Sequence, residues 1–504
     1  MNRWILLWMV VLGTALYAQT PKMLAINEDN DHYFKRDPKF MNEADLRAYV
    51  GQFKNSRVTH FFMCPQGQRA SYDSKVVEPI WADIPGMEID YGQGTDGKYW
   101  TSNCRSLRDR GIDPYTVWTD ECRKIGVSPW LTMRMNDVHF CDNIRYFRNM
   151  NFWREHPELW RVPTCNRRNW TDCAFNYAKK ETRDFHLAVA RELLERYDVD
   201  GLELDWMRFC LHLTPNHERE EGKYLTEFVR EVRKAAREWE TKRGHAIRIS
   251  VRVPVDPEAS RALGMDAVKW AKEGLIDQIV ASCFFSTADF DMPLVEWKKE
   301  LGPLAEKIPV LAGTDNGAAS GTGGRREMDW AMYNGWAANA WYNGADALYL
   351  FNLPYMPKLL ERAAAEGLDP EDVLRRPRRH VVTYHDYMAI REGMSYGKQL
   401  PRKLDAPCEI TVQFGKKPAS GTLSVVAAFQ GKATPSDAKF SATLNGVPAT
   451  GQTEENSPIR YASADRAIRF SFPLSAAQDG INTVRISQDA GATQEIVWLE
   501  MDVH

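Results

Sequence analysis

Short runs rich in Val, Ile, Leu and Phe recur eight times before residue 353, and amphipathic helices separate several of them. The runs are MLAIN (23–27), VTHFFMC (58–64), SPWLTMRM (128–135), GLELDW (201–206), IRISVRV (247–253), DQIVASC (277–283), PVLAGT (309–314) and ALYLFN (347–352). The segment before the fourth run carries Phe185, Val189, Leu193 and Tyr197 at spacing four, which predicts a helix with one buried stripe. A second helix is expected around residues 223 to 239, with Phe228, Val232 and Trp239 on its buried face. Strands that alternate with helices build a parallel sheet, and eight such units close as a (β/α)8 barrel. The rival, an open doubly wound sheet, lacks support because no Gly-rich phosphate loop follows the first strand.

From about residue 405 the texture changes. CEITVQFG, TLSVVAAFQ, KFSATLNGV, AIRFSFPL, NTVRISQD and EIVWLEMDV read as strands separated by Gly, Asn and Ser turns. They predict an all-β sandwich over residues 405–504, with the barrel over 19–400. Such a module more commonly braces its neighbour than binds sugar. The first 18 residues, with Arg3 ahead of the apolar run from Trp4 to Leu12, read as a secretory signal too short to span a membrane. The expectation is a secreted or periplasmic protein with no membrane span.

Composition removes some functions. A formal net charge of −3 gives no polyanion-binding signature, so nucleic acid is not an expected partner. Nine cysteines leave at least one unpaired; Cys104 with Cys122 and Cys165 with Cys173 are local pairs able to close loops. Their spacing matches no zinc pattern, AINEDND has no His-x-His, and the eleven histidines are scattered, so no metal or other cofactor is expected. NWT at 169–171 is an acceptor sequon.

In a barrel the chemistry belongs at the C-terminal strand ends and in the loops beyond them. The loops NEDNDHYF, PQGQRASY, NDVHFCDN, FFSTADFD and DNGAASGTGG are polar and aromatic, and residues 136–176 form a long insertion expected to wall a cleft. Strand four is the most telling. Glu203 and Asp205 are two apart and therefore share a face, which the barrel turns toward its axis, while Leu202 and Leu204 take the other. A carboxylate facing a barrel interior is costly unless paired or catalytic. Glu203 either bonds a neighbouring arginine, Arg134 or Arg252, or takes part in chemistry. Asp205, nearer the strand's end, is the expected catalytic group. Cleaving a glycosidic bond needs one acid and one stabilising or attacking carboxylate, and a rim can supply both.

YDVDGLELDWMRF, with the NYAKKETRDFHLAVARELLERY helix before it, resembles the glycoside-hydrolase-like barrels called family-10-like glycosyl hydrolases. Their fourth strand also runs from a DVDG turn to an acidic end. DGLELD is more loosely similar to the fourth strand of the α-amylase superfamily, whose final Asp is the nucleophile, although Glu203 stands where that family has Arg. It is also similar to the chitinase-type fourth strand, with the order of the acids reversed. The resemblance implies a glycoside hydrolase with Asp205 as nucleophile or charge stabiliser. Asp315, closing strand seven, is the expected acid partner, with Glu203, Asp256, Asp289 and Asp291 as alternatives. Substrate positioning would fall to Arg134, Asn136, His139, Trp206, Arg208 and Asn352. The Arg-rich stretch 134–168 hints at an anionic glycan, since Arg forks match sulfate and carboxylate. The competing class is a barrel that only holds a glycan.

Overall fold

The computed structural model describes residues 22–162, 170–321, 325–387, 397–431, 437–455, 461 and 464–504. The signal-like segment, Cys165 and Asn169 of the sequon lie outside the described residues. All eight predicted strands form, as β1 (Leu24–Glu28), β2 (His60–Met63), β3 (Ser128–Arg134), β4 (Gly201–Asp205), β5 (Arg248–Pro254), β6 (Gln278–Ser282), β7 (Val310–Thr314) and β8 (Ala347–Leu350). They pair in parallel and close, β8 returning to β1 through Leu24 opposite Leu348. The helix before β4 runs Lys180–Arg196 and buries Val189 and Leu193 as its stripe requires. The next runs Glu218–Arg243, longer than its apolar core of Phe228 and Val232 demands. It stops at Gly244, whose φ of 77° supplies the left-handed cap.

The lumen is filled in layers, as expected of eight tilted strands. At the bottom an apolar plug gathers Ala25, Phe62, Trp130, Val280, Leu311 and Ala347. Phe62 stacks on Trp130 with centroids 5.0 Å apart. Gly201 opposes Trp130 across the β3–β4 ladder, and a Cβ there would lie 2.3 Å from the indole ring. One residue pair higher the register sets Thr132, Glu203 and Ser250 side by side, and one pair higher again Arg134, Asp205 and Arg252. The lumen therefore changes from apolar to charged within one strand.

The C-terminal strands form two antiparallel sheets. One orders Arg378–Val381, Glu495–Val503, Leu423–Gln430, Arg466–Phe472 and Gly451–Glu454; the other orders Cys408–Gln413, Ile481–Ala490, Lys439–Leu444 and Val447–Pro448. The first of these strands, Arg378–Val381, lies upstream of residue 405, where the change of texture begins. Phe429 stacks on Phe440 between the sheets, at 4.0 Å. Val426, Ala428 and Trp498, on the opposite face of the first sheet, join the barrel's own core. Val425–Phe429 is thus apolar on both faces, because it lies between two cores. Cys104 and Cys122, one of the local pairs able to close a loop, are separate buried thiols. Burial pushes both thiols well above the ordinary cysteine value. Among the described residues no helix is long and apolar enough to cross a membrane.

Candidate active site

The acids of β4 occupy two different levels. Glu203 is fully buried in the polar layer: Oε1 accepts from Tyr349 OH at 2.7 Å and from Thr132 Oγ1 at 2.8 Å, and Oε2 lies 3.3 Å from Ser250 Oγ. Tyr349 OH in turn accepts from Asn27 Nδ2 at 2.9 Å. Burial, together with the Asp205 charge above it, pushes the Glu203 carboxyl up to about 7. Neither Arg134 nor Arg252 hydrogen-bonds it; the expected arginine prop is replaced by three hydroxyls.

Asp205 meets the fork of Arg252, Nε to Oδ1 at 3.0 Å and Nη2 to Oδ2 at 3.2 Å. The backbone N–H groups of Met207 and Arg208 also donate to Oδ1, both at 3.0 Å. Arg252 is itself locked, donating from Nη1 to Ser282 Oγ at 3.0 Å and lying 4.1 Å over the Phe351 ring. Asp205 is about 1% exposed, so this pair forms a closed lid over the Glu203 layer.

Above the lid the loops enclose a cavity of about 900 Å³. Its charged lining includes Asp142, Asp315, Asp386, Arg208, Arg325 and Lys398, and its aromatic lining includes Phe209, Phe284, Phe285 and Tyr355. Asp315 follows β7 and stands at the cavity wall while itself nearly fully buried. Its Oδ1 accepts from Asn316 N at 2.6 Å and Arg325 Nη2 at 2.8 Å, its Oδ2 from Asn352 Nδ2 at 3.2 Å. Burial dominates, and the Asp315 carboxyl is raised above the ordinary aspartate value in spite of Arg325. Asn352 reaches it from a left-handed turn, φ 59°, a conformation asparagine tolerates. Asp386 comes from the segment after Arg378–Val381, and its Oδ2 accepts from Phe285 N at 3.1 Å and Ser286 N at 2.7 Å. Asp315 and Asp386 both line this one cavity.

Of the residues expected to position substrate, His139, Arg208 and Asn352 reach this cavity. Arg134 does not: its fork is held below by Asp29 and by Asp137, the latter at 2.6 Å. Asn136 is a loop tie, donating to the carbonyls of Phe175 and Leu211, both at 3.1 Å. Trp206 is core, fully buried against Tyr177, Phe228 and Trp270. Asp256 caps the helix Pro257–Ala262, and Asp289 holds His385 Nδ1 at 2.5 Å. Although burial works against the cation, Asp289 and Asp291 raise His385 to about 9. Asp386 carried no sequence signal, since it lies in the irregular segment between the domains. Phe284, Phe285 and Tyr355 lie in the strand-six and strand-eight loops, where barrel logic directs attention.

The insertion after β3 does wall the cavity, through His139, Phe140, Asp142 and Thr171. Among the described residues, its arginines do not. Arg154 binds the carbonyls of Ile144 and Tyr146, and Arg161 that of Leu213. Asp29, Asp31 and His32 after β1 stand close enough for their ligand atoms to converge on a cation. Protein cations already hold both carboxylates, Arg134 on Asp29 and Lys35 Nζ on Asp31 at 2.6 Å, so the donor set suits ion pairing better than a resident metal.

No protein-family profile matches the chain. Residues of the chain are 27% identical over 179 positions to a 1,4-alpha-glucan branching enzyme of Methylobacillus flagellatus, a match covering 35% of this chain and 23% of that enzyme. Among solved structures, the glycoside hydrolase domain of PgaB (BpsB) from Bordetella bronchiseptica aligns with a TM-score of 0.43 and 7% identity, over 68% of this chain and 99% of that one. Alpha-L-fucosidase isoenzyme 2 from Paenibacillus thiaminolyticus gives 0.40 and 13%, over 70% and 48%. Scores this low leave any functional reading to the chemistry of the site itself.

Proposed function

We propose that this chain is a glycoside hydrolase that cleaves an oligo- or polysaccharide in the cavity above β7 and β8. The observation that carries the reading is Asp315, a buried carboxyl at the cavity wall with a raised pKa, which suits a group that must arrive protonated. Sugar rings present flat C–H faces, and Phe284, Phe285 and Tyr355 offer aromatic surface for them. Asp315 donates its proton to the departing glycosidic oxygen as the bond to the anomeric carbon breaks. Asp386, oriented by two backbone amides, is the second carboxylate: it stabilises the positive charge at that carbon or activates the water whose oxygen replaces the leaving sugar. Asp205 is given a positioning role, because it does not line the cavity and the Arg252 fork closes over it. The leader-like first 18 residues support action outside the cytoplasm.

The test is reducing-sugar release from a polysaccharide panel by wild type and the Asp315→Asn, Asp386→Asn and Asp205→Asn variants. Asp315→Asn is expected to lower kcat by about 10²–10⁴, the usual worth of a general acid. It should also remove the alkaline limb of the pH profile. Full activity in Asp315→Asn with loss in Asp205→Asn would return the chemistry to β4. Saccharide binding without turnover in wild type would favour the glycan-holding barrel.

A further inference from the structure

Behind the cavity wall, below Arg208, the arginines outnumber the carboxylates that face them. Behind the wall, Asp29 and Asp137 face three arginines. Arg134 pairs with both, and Arg148 Nη2 takes Asp137 at 3.1 Å. Asp31 is matched by Lys35, and Glu28 faces His32 at 3.4 Å. Arg208 is the third arginine. The nearest carboxylate to its guanidinium is Asp29 Oδ2 at 3.8 Å, too long for a hydrogen bond. Its one side-chain hydrogen bond among the described residues goes from Nη2 to His139 Nε2 at 3.2 Å, and its buried Nε has no partner.

The rest of the environment fixes this cation in place. His139 Nδ1 bonds Asp137 Oδ1 at 2.5 Å, which leaves Nε2 as the acceptor toward Arg208. Burial and Arg148 hold His139 neutral, lowered to about 3, so it orients Arg208 without neutralising it. Phe209 and Phe351 pack against the guanidinium, with centroids at 5.8 and 5.6 Å. The Arg208 backbone N–H is tied to Asp205. A desolvated, pre-oriented guanidinium at a cavity wall, short of one counter-charge, matches a planar or tetrahedral anion. Of the carboxylates in the cavity lining, Asp142 is exposed to solvent, Asp315 is held by Arg325, and Asp386 accepts from the Phe285 and Ser286 amides.

We infer that the saccharide this site takes carries an acidic group, a carboxylate or a sulfate, and that Arg208 receives it. The inference rests on the glycosidase reading only for the word saccharide. It relocates the anionic signal from the Arg-rich insertion, whose Arg134, Arg154 and Arg161 serve the fold, to one arginine after β4.

Affinity electrophoresis tests it, with gels containing polygalacturonate or its carboxyl-reduced form, and dextran sulfate or dextran. Wild type is expected to be retarded more strongly by at least one acidic polymer than by its neutral counterpart, with the two pairs separating uronate from sulfate recognition. Arg208→Gln should weaken that binding about ten- to a hundredfold, the range of a lost charge-assisted hydrogen bond. Arg208→Lys should recover part of it, which a folding defect would not allow. A wild type that prefers neither acidic polymer, or an Arg208→Gln variant that keeps the preference, overturns the inference. Binding is read apart from turnover. Acidic preference without reducing-sugar release sinks the hydrolase and leaves Arg208 standing; turnover of neutral glycans without acidic preference does the reverse.

Discussion

Glu203 keeps a proton that belongs to the folded lumen. Its carboxyl lies near 4.5 when free and about 7 when folded. The native state therefore binds more protons than the unfolded chain between those values. The stabilisation is fully present below about pH 4.5 and is lost as pH rises toward 7. Glu203→Gln reproduces the protonated form, with an amide able to donate to Ser250 and to accept from Tyr349 and Thr132. The variant should flatten the fall in urea-unfolding stability across that window, and it should be more stable than wild type at pH 8. An unchanged pH slope would mean that Glu203 is ionised in the fold. Retained turnover in the same variant would mark Glu203 as structural. The neighbouring pair behaves differently: Arg252→Met strands a buried carboxylate and should cost about 3–5 kcal/mol, read from the urea midpoint.

At the scale of elements, two glycines separate packing from propensity. Gly201 begins β4 because the Trp130 ring fills the space a side chain would need. Gly201→Ala should cost about 1–3 kcal/mol or more through overpacking, and it should shift the tryptophan fluorescence of the native state. Gly51, at the end of the helix Glu43–Gly51, has nothing within 4 Å of its Cβ position. Gly51→Ala should be neutral or stabilise by about 0.4–1 kcal/mol; a large loss there would contradict the packing account. Urea titration of both measures the contrast. Elements of this kind were legible because their signals are local. The alternation of strand four reported which side chains share a face, and helix stripes reported what is buried. The signal did not reach the depth of each residue along the barrel axis. Trp206, Arg134 and Asn136 were expected near substrate, yet one packs in the core and two tie loops beneath the wall.

The whole molecule is built around a shared core. The helix Trp330–Tyr342 approaches Arg378–Val381 so closely that a Cβ on Gly335 would fall 1.9 Å from the Arg379 carbonyl oxygen. Val426, Ala428 and Trp498 of the sandwich lie within the barrel's apolar cluster. Barrel and sandwich should therefore unfold in one calorimetric transition, and a chain cut before Arg378 should lose solubility, with the strand Arg378–Val381 no longer covering that helix. Two resolved transitions would show that the sheets brace the barrel only loosely. The sequence by itself determined the eight-strand count, the sandwich and the inward face of β4, because periodicity of 2 and 3.6 residues is written in neighbouring positions. Only the tertiary structure decided which charges meet. Asp205 faces Arg252 from 47 residues away, and Asp386 reaches the strand-six loop from 100. Whether an acid is exposed to a ligand, sealed under a guanidinium or kept protonated depends on burial and partners that no local pattern encodes.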